Sequence, residues 1–280
     1  MRTISSISEF KEFRNTLSGT IGFVPTMGAL HNGHLSLINK SNQTCDYTIV
    51  SIFVNPIQFS KNEDLSTYPK PLDRDLALLN KFKIDAIFLP TSEVMYPKGF
   101  STFVNENIVS MGLEGKSRPS FFKGVTTIVI KLFNIVNPTH TFFGEKDAQQ
   151  LRIIQKMVKD LNFSIQIVPC QIVREENGLA MSSRNEYLSI KSRQSASIIY
   201  DGLKHGLSLL KNGERNPNII REEITKFIQL EPNARVDYIS VSDNLALEEI
   251  YGEITGDVLI STAVYFDDIR LIDNITYSSD

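Results

Sequence analysis

The sequence is poor in the features that staple or anchor a chain. It has two cysteines, Cys45 and Cys170, far apart and without paired spacing. That argues against a disulfide framework or a thiolate zinc site, and for small buried thiols. No long run of one charge sign occurs, and 29 Lys and Arg against 32 Asp and Glu leave a net charge of -3. Neither a nucleic-acid footprint nor a membrane-surface footprint is expected from that balance. Long apolar runs are missing as well. The longest, GVTTIVIKLFNIV, is interrupted by Lys131 and Asn134 and is too short to span a bilayer. The N-terminal MRTISSISEFKEF lacks the apolar core of a secretory signal, so a cytoplasmic location is expected.

What is there is ordinary globular material, 280 residues with 41% hydrophobic and 22% charged, enough for one large domain and a smaller one. β-branched and apolar runs at 20–26, 46–54, 85–90, 139–144 and 164–169 read as strands. Helical spacing follows in GHLSLINKSNQ, in 71–83, in the GVTTIVIKLFNIV segment and in 147–161, with an irregular stretch from Thr91 to Phe121. Strand and helix alternating in this way predict an α/β domain, a parallel sheet with helices on both faces. The pattern changes near 174–180, where Glu176-Asn177-Gly178 makes a tight turn. Two helical stretches, 189–212 and 216–230, then precede strands at 235–242, 256–265 and 268–273, a smaller α+β domain.

Three polar loops, TMGALHNGH, NPIQF and GEKD, fall at the carboxyl ends of predicted strands, where open parallel sheets bind ligands. Gly28 and Gly33 permit backbone conformations that other residues resist. The helix start after them suits phosphate, and an imidazole one turn on adds a donor. Zinc would need a third ligand, and the Glu of H-E-x-x-H is absent, so no protein-held metal is expected. Two surface histidines on a helical turn remain the alternative for His31 and His34. Asp147 and Gln150 have capping-box spacing, which accounts for both without a substrate. Lys146, at the strand-to-helix junction, is either a solvated loop lysine or a phosphate contact. In MSSRN, two hydroxyls followed by Arg184 are able to wrap phosphate oxygens, and a hinged loop at the domain junction is placed to close over a nucleotide. Asp73 and Asp75 in PLDRDL read as first-turn acids on a solvated helix face, with assistance through water as the other reading.

PTMGALHNGH, SIFVNPIQF, YPKPLDRDL, LEGKSRP, FGEKDAQQL and GLAMSSRN, in that order, resemble the pantoate–β-alanine ligase family, and the resemblance runs from about Gly22 through DDIRLIDN at 267–274. It implies an ATP-dependent ligase of the HIGH-motif nucleotidyltransferase superfamily, related in fold to class I aminoacyl-tRNA synthetases. HNGH is the HIGH-like element, and MSSRN stands where those relatives carry a KMSKS-like loop. The implied architecture is a Rossmann-like ATP- and pantoate-binding domain over 1–175 and a small C-terminal α+β lid over 176–280. The implied protein is a cytoplasmic homodimer that makes pantothenate, the precursor of coenzyme A, from pantoate, β-alanine and ATP. AMP and pyrophosphate are released after a pantoyl-adenylate intermediate, and Mg²⁺ comes mainly on the ATP phosphates.

Carried over position by position, the resemblance assigns ATP to Met27, Gly28, Ala29, Leu30, His31, Asn32, Gly33 and His34. His31 and His34 serve the phosphates, and His34 is the family's proton donor. Gly144, Glu145, Lys146 and Asp147, together with Met181, Ser182, Ser183 and Arg184, are assigned the nucleotide and pyrophosphate side, and Val173 the adenine. Gln58 and Gln150 are assigned pantoate, with Gln58 bordering the entry of β-alanine. His31, His34, Lys146 and Arg184 form the implied catalytic set. One departure stands out: FFKGV has Phe121 and Lys123 where the family pattern has His and Arg. Lysine keeps the charge and loses the bidentate fork. Two other classes stay open on the residues alone. One is nucleotidyl transfer to a phosphorylated acceptor; the other is a nucleotide-sensing protein on a retained fold.

Overall fold

The computed structural model describes residues 1–60 and 65–279. The chain divides into two compact units, Met1–Glu145 with Gln150–Gln171, and Lys146–Gln149 with Ile172–Asp280.

The first unit contains β1 (Arg2–Ile4), α1 (Ile7–Asn15), β2 (Ile21–Thr26), α2 (Asn32–Thr44), β3 (Tyr47–Ile52), α3 (Leu72–Leu79) and β4 (Ala86–Phe88). After short helices α4 (Ser92–Met95) and α5 (Leu113–Ser117) come α6 (Phe121–Val136), β5 (His140–Gly144), α7 (Ala148–Asp160) and β6 (Gln166–Cys170). The six strands form one parallel sheet in the order β1-β4-β3-β2-β5-β6. Alternation along each strand fills two cores. Ile21, Phe23, Ile49, Phe88 and Phe143 face one layer with Phe10 of α1, Leu132 of α6 and Ile154 of α7. Val24, Val50, Ile87 and Phe142 face the other with Ile38 of α2 and Leu79 of α3. Each fully buried side chain of this size contributes about 1.5–3 kcal/mol, so the sheet is held from both sides as its strand pattern predicts.

Strand order reverses at β2. Its chain continues to β3 on one side, while β5 pairs on the other through Gly22 with His140 and Phe23 with Thr141. In open parallel sheets the ligand crevice lies outside the carboxyl ends of the strands at such a switch point. Here those ends carry the loops after Thr26 and Gly144.

In the second unit, helices α8 (Ile190–Ser195), α9 (Ile198–Lys211) and α10 (Pro217–Ile228) accompany an antiparallel sheet of β7 (Ala234–Asp243), β8 (Val258–Phe266) and β9 (Ile269–Tyr277), in the order β7-β8-β9. Asn216 caps α10 with Pro217 at its first position, a helix start legible in ERNPN. Gly202 and Gly206 let Ile224 of α10 lie against α9, since a Cβ at Gly206 would meet Ile224 Cδ1 at 2.3 Å.

β1 and α1 escaped the pattern reading. A three-residue edge strand has no period to detect, and α1 is marked mainly by Ser6, whose hydroxyl accepts from Glu9 N. The 91–121 stretch holds the short helical turns α4 and α5. Cys170 is buried and Cys45 half-buried, so the buried-thiol expectation fits the former better. No helix among the described residues is long and apolar enough to cross a membrane.

Candidate active site

At the carboxyl end of β2 the chain turns through Gly28 at φ +85° and Ala29 at φ +50° before entering α2. Gly28 suits that conformation; Ala29 adopts it against the steric preference of a Cβ. Gly33 lies in the first turn of α2 with helical backbone, so the special conformation expected there falls on Ala29 instead. His31 is the N-cap of α2 in extended conformation. Its Nδ1 accepts from Gly33 N at 3.1 Å, and His34 Nδ1 accepts from His31 N at 3.3 Å. The two imidazoles therefore build a reciprocal capping box usually made by Ser or Thr with Glu, their ring centroids 4.0 Å apart. Because Nδ1 is the acceptor in each, the neutral rings carry their proton on Nε2. Two N–H donors at a helix N-terminus are an arrangement suited to an anion. Both rings are half-buried and bonded to the backbone.

The same loop is held from below. Asp75 of α3 accepts from Ala29 N through Oδ2 and from Leu30 N through Oδ1, both at 2.8 Å. Its residue is 1% exposed. The solvated-face reading of PLDRDL thus holds for exposed Asp73 and fails for Asp75, because a short step along the helix separates the buried position from the wet one. Thr26 adds a third tether, donating to Ser51 O at 2.8 Å and accepting from Gly28 N at 3.2 Å.

Gln58 follows β3 in the 3₁₀ turn Pro56–Gln58 and is buried. Its Oε1 accepts from Asn55 Nδ2 at 3.0 Å, while its Nε2 lies 2.8 Å from Met27 Sδ. Asn55 Nδ2 also donates to Gly124 O at 3.1 Å, and Asn55 Oδ1 accepts from Tyr96 O–H at 2.7 Å. Burial holds the Tyr96 phenol well above its usual pKa, so it remains a donor. Gly124 of α6 allows the close approach, since a Cβ there would come within 2.6 Å of Ile57 O and Gln58 Cα. Met27 and Gln58 are thereby brought together from two strand ends. Asn55, Tyr96, Gly124 and Asp75 were not selected from sequence as site residues. A shared loop with Gln58 hinted at Asn55, and the PLDRDL motif drew notice to Asp75 only as a first-turn acid; nothing local marked Tyr96 or Gly124.

β5 ends at Gly144, Glu145–Asp147 make a 3₁₀ turn, and α7 starts at Ala148. Gln150 lies half-buried in its first turn. Lys146 and Asp147 group with the second unit, where Asn274 of β9 donates to Lys146 O at 2.9 Å. Lys146 Nζ is 3.6 Å from Asp147 Oδ1.

Within the second unit the 173–185 segment folds back on itself. Met181 N donates to Val173 O at 2.9 Å, and Arg174 and Ala180 form an antiparallel bridge around Gly178 at φ +95°. Ser182 caps the 3₁₀ turn Ser183–Tyr187 by accepting from Arg184 N at 3.3 Å. Asn185, 2% exposed, donates to Ala180 O at 3.1 Å and to Glu175 Oε1 at 2.8 Å. Behind it, Arg174 pairs with buried Asp273 through two nitrogens at 2.6 and 3.1 Å and stacks 3.5 Å over Tyr200. A loop with two hydroxyls and a guanidinium is thus mounted on buried hydrogen bonds rather than hung from solvent.

In α6 the FFK departure leaves Lys123 Nζ 4.4 Å above the Phe103 ring, and Arg118 stacks 3.6 Å over Phe121. Among the described residues no group of three or more His, Cys, Asp and Glu is placed to hold a metal ion.

Residues 1–276 match the model of the pantoate-beta-alanine ligase family. The chain is 52% identical over 278 residues to a pantothenate synthetase of Acetivibrio thermocellus, covering 98% of this chain and 99% of the relative. It is 53% identical over 264 residues to that of Carboxydothermus hydrogenoformans, covering 93% and 92% of the two chains. The crystal structure of pantothenate synthetase from Thermus thermophilus superposes with a TM-score of 0.93 at 39% identity, over 98% of this chain and 99% of that one. A pantoate-beta-alanine ligase from Francisella tularensis, complexed with beta-gamma ATP and beta-alanine, superposes with a TM-score of 0.79 at 35% identity, over 98% and 97%. With its parallel sheet, its histidine-capped loop at the switch point and these matches along almost all of its length, the chain belongs to the pantoate–β-alanine ligase family of enzymes.

Proposed function

We propose that this chain condenses pantoate with β-alanine to pantothenate in two steps driven by ATP. A carboxylate is a poor electrophile. In the first step a pantoate carboxylate oxygen attacks the α-phosphorus of ATP, the bond from that phosphorus to the β-phosphate bridging oxygen breaks, and pyrophosphate leaves. In the second, the neutral amine of β-alanine attacks the acyl carbon of pantoyl adenylate. The acyl C–O bond breaks, AMP leaves, and the amine nitrogen gives up its proton. No protein nucleophile is required, so catalysis rests on alignment, worth about 7–11 kcal/mol in favourable cases, and on stabilising phosphate charge.

The observation that carries this reading is the His31–His34 capping box, which fixes both imidazoles through Nδ1 at the start of the helix that follows the switch-point strand β2. On this reading Met27 to His34 bind the ATP phosphates, with His31 and His34 donating to oxygens that gain charge as the α-phosphorus is attacked. His34 acts as proton donor. Gly144 to Asp147 and Met181 to Arg184 bind nucleotide and pyrophosphate, Val173 adenine, and Gln58 and Gln150 pantoate. The fixed orientation of the Gln58 amide supports its role, since its nitrogen is the group turned toward Met27. Mg²⁺ would neutralise phosphate charge. An ion carried mainly by phosphate oxygens asks for no dedicated protein cage. The family resemblance further supports a cytoplasmic homodimer.

The test is AMP release from ATP and Mg²⁺ with pantoate alone, β-alanine alone and both, with the product checked as pantothenate. Sustained AMP only with both is the expected result. A stable nucleotidylated product would instead make the chain a nucleotidyltransferase, and ATP binding without turnover would make it a sensor.

A further inference from the structure

We propose that Asp75 is a positioning residue for the reaction: its carboxylate holds the Gly28–Leu30 turn in the conformation that seats the His31–His34 pair. The inference rests on the ligase reading for its kinetic consequence and on geometry alone for the rest. Two consecutive residues, Gly28 and Ala29, have positive φ, and the amides of Ala29 and Leu30 that follow this turn meet at a single buried carboxylate. That carboxylate is Asp75, with one oxygen to each N–H at 2.8 Å. Ala29 would otherwise relax toward negative φ, because its Cβ opposes φ +50°. Such a relaxation would rotate the peptide into His31, whose own N–H is the donor to His34 Nδ1. The consequence is a direct mechanical line from a buried carboxylate on α3 to the tautomer of His34.

Asp75 sits in the first turn of α3, where a purely structural role is the competing account. The two accounts separate on what moves when the carboxylate is removed. In Asp75→Asn one acceptor is replaced by an NH₂ that faces a backbone N–H, so only one of the two bonds survives. A structural role predicts a lower unfolding temperature with unaltered histidines and unaltered turnover in the protein that remains folded. The positioning role predicts that folded D75N loses the pure Nε2–H pattern in ¹⁵N spectra of its imidazoles. It also predicts that pantoate-dependent exchange of label between pyrophosphate and ATP falls about 100-fold in kcat, the scale of a misplacement near 1 Å.

The experiment is therefore ¹⁵N-histidine spectroscopy and ATP–pyrophosphate exchange on the full chain, for the unaltered protein, D75N, and D75N combined with A29G. Glycine adopts left-handed backbone without the Cβ penalty, so the double variant is expected to regain the Nε2–H pattern and about tenfold of the lost exchange rate. If D75N alone does not accumulate folded, the double variant is compared with A29G by the same two measurements. Folded D75N with unchanged histidine spectra and unchanged kcat overturns the proposal, and so does a D75N/A29G variant whose kcat equals that of A29G. An unaltered protein that shows no pantoate-dependent exchange overturns the ligase reading instead. In that event the histidine spectra still decide whether Asp75 sets the turn.

Discussion

Tyr96 donates its phenolic hydrogen to Asn55 Oδ1 at 2.7 Å, and Asn55 passes the constraint on by donating to Gln58 Oε1 at 3.0 Å. An amide that is free to flip offers either end to a ligand, but this relay commits Gln58 to present its nitrogen. Tyr96→Phe should therefore leave the fold intact and raise KM for pantoate about fivefold, the worth of one neutral hydrogen bond of about 1 kcal/mol. Steady-state kinetics at saturating ATP and β-alanine would show it, and an unaltered KM would remove the relay from substrate binding.

The two histidines do two jobs that substitution can separate. His31→Asn retains an N-cap acceptor, so its unfolding temperature should match the unaltered protein, whereas His31→Ala should lose about 1 kcal/mol of helix capping. Both should lose at least about 10²-fold in the rate of adenylate formation if the imidazole serves the phosphates. His34→Ala should do the same while remaining folded. Wild-type single-turnover rates in these variants would confine both rings to capping.

Glycine-to-alanine changes at two positions should have opposite characters. At Gly124 a Cβ meets Ile57 O and Gln58 Cα at 2.6 Å, so G124A should cost about 1–3 kcal/mol of stability and weaken pantoate binding by displacing the turn. At Gly144 no atom of the described residues beyond its chain neighbours lies within 4 Å of the added methyl group. G144A should fold normally and raise only KM for ATP. Thermal unfolding paired with KM values distinguishes the two.

Arg174 covers the buried Asp273 carboxylate with two hydrogen bonds. Arg174→Ala leaves that carboxylate unpaired and should destabilise the protein by about 3–5 kcal/mol. Asp273→Asn in the R174A background should restore part of it by removing the charge. Denaturant unfolding of the single and double variants gives the coupling directly, and simple additivity would mean the pair is not what holds the segment.

Burial pushes the Cys170 thiol up to about 11 from its ordinary 9.0. The folded state thus favours the protonated form. This contribution is whole below pH 9 and is lost between about pH 9 and 11, as the unfolded thiol ionises first. Cys170→Ala should flatten stability across that alkaline window, and thiol labelling of the native protein at about pH 8 should be slow at this position. Fast labelling of Cys170 would contradict its burial.

Much of the architecture was written in local patterns. β-branched runs interrupted by Pro and Gly, helices with a single apolar stripe and the ERNPN helix start are short-range signals, since the chain must bury one face of each element whatever its neighbours are. The order of six motifs pointed to the family, because each motif places a polar loop at a strand end or element junction. Which side chains hold those loops was settled by packing in three dimensions. Asp75 is 46 residues from Ala29 in sequence and Tyr96 is 41 from Asn55, and no periodicity links residues across a sheet. The capping role of the histidines was equally hidden, because imidazoles rarely stand in for Ser and Glu, and only the fold reveals which nitrogen faces the backbone. Sequence determined where the loops fall, through the pattern of burial; packing determined their conformation, because buried backbone N–H groups must find a partner and accept whichever one the fold supplies.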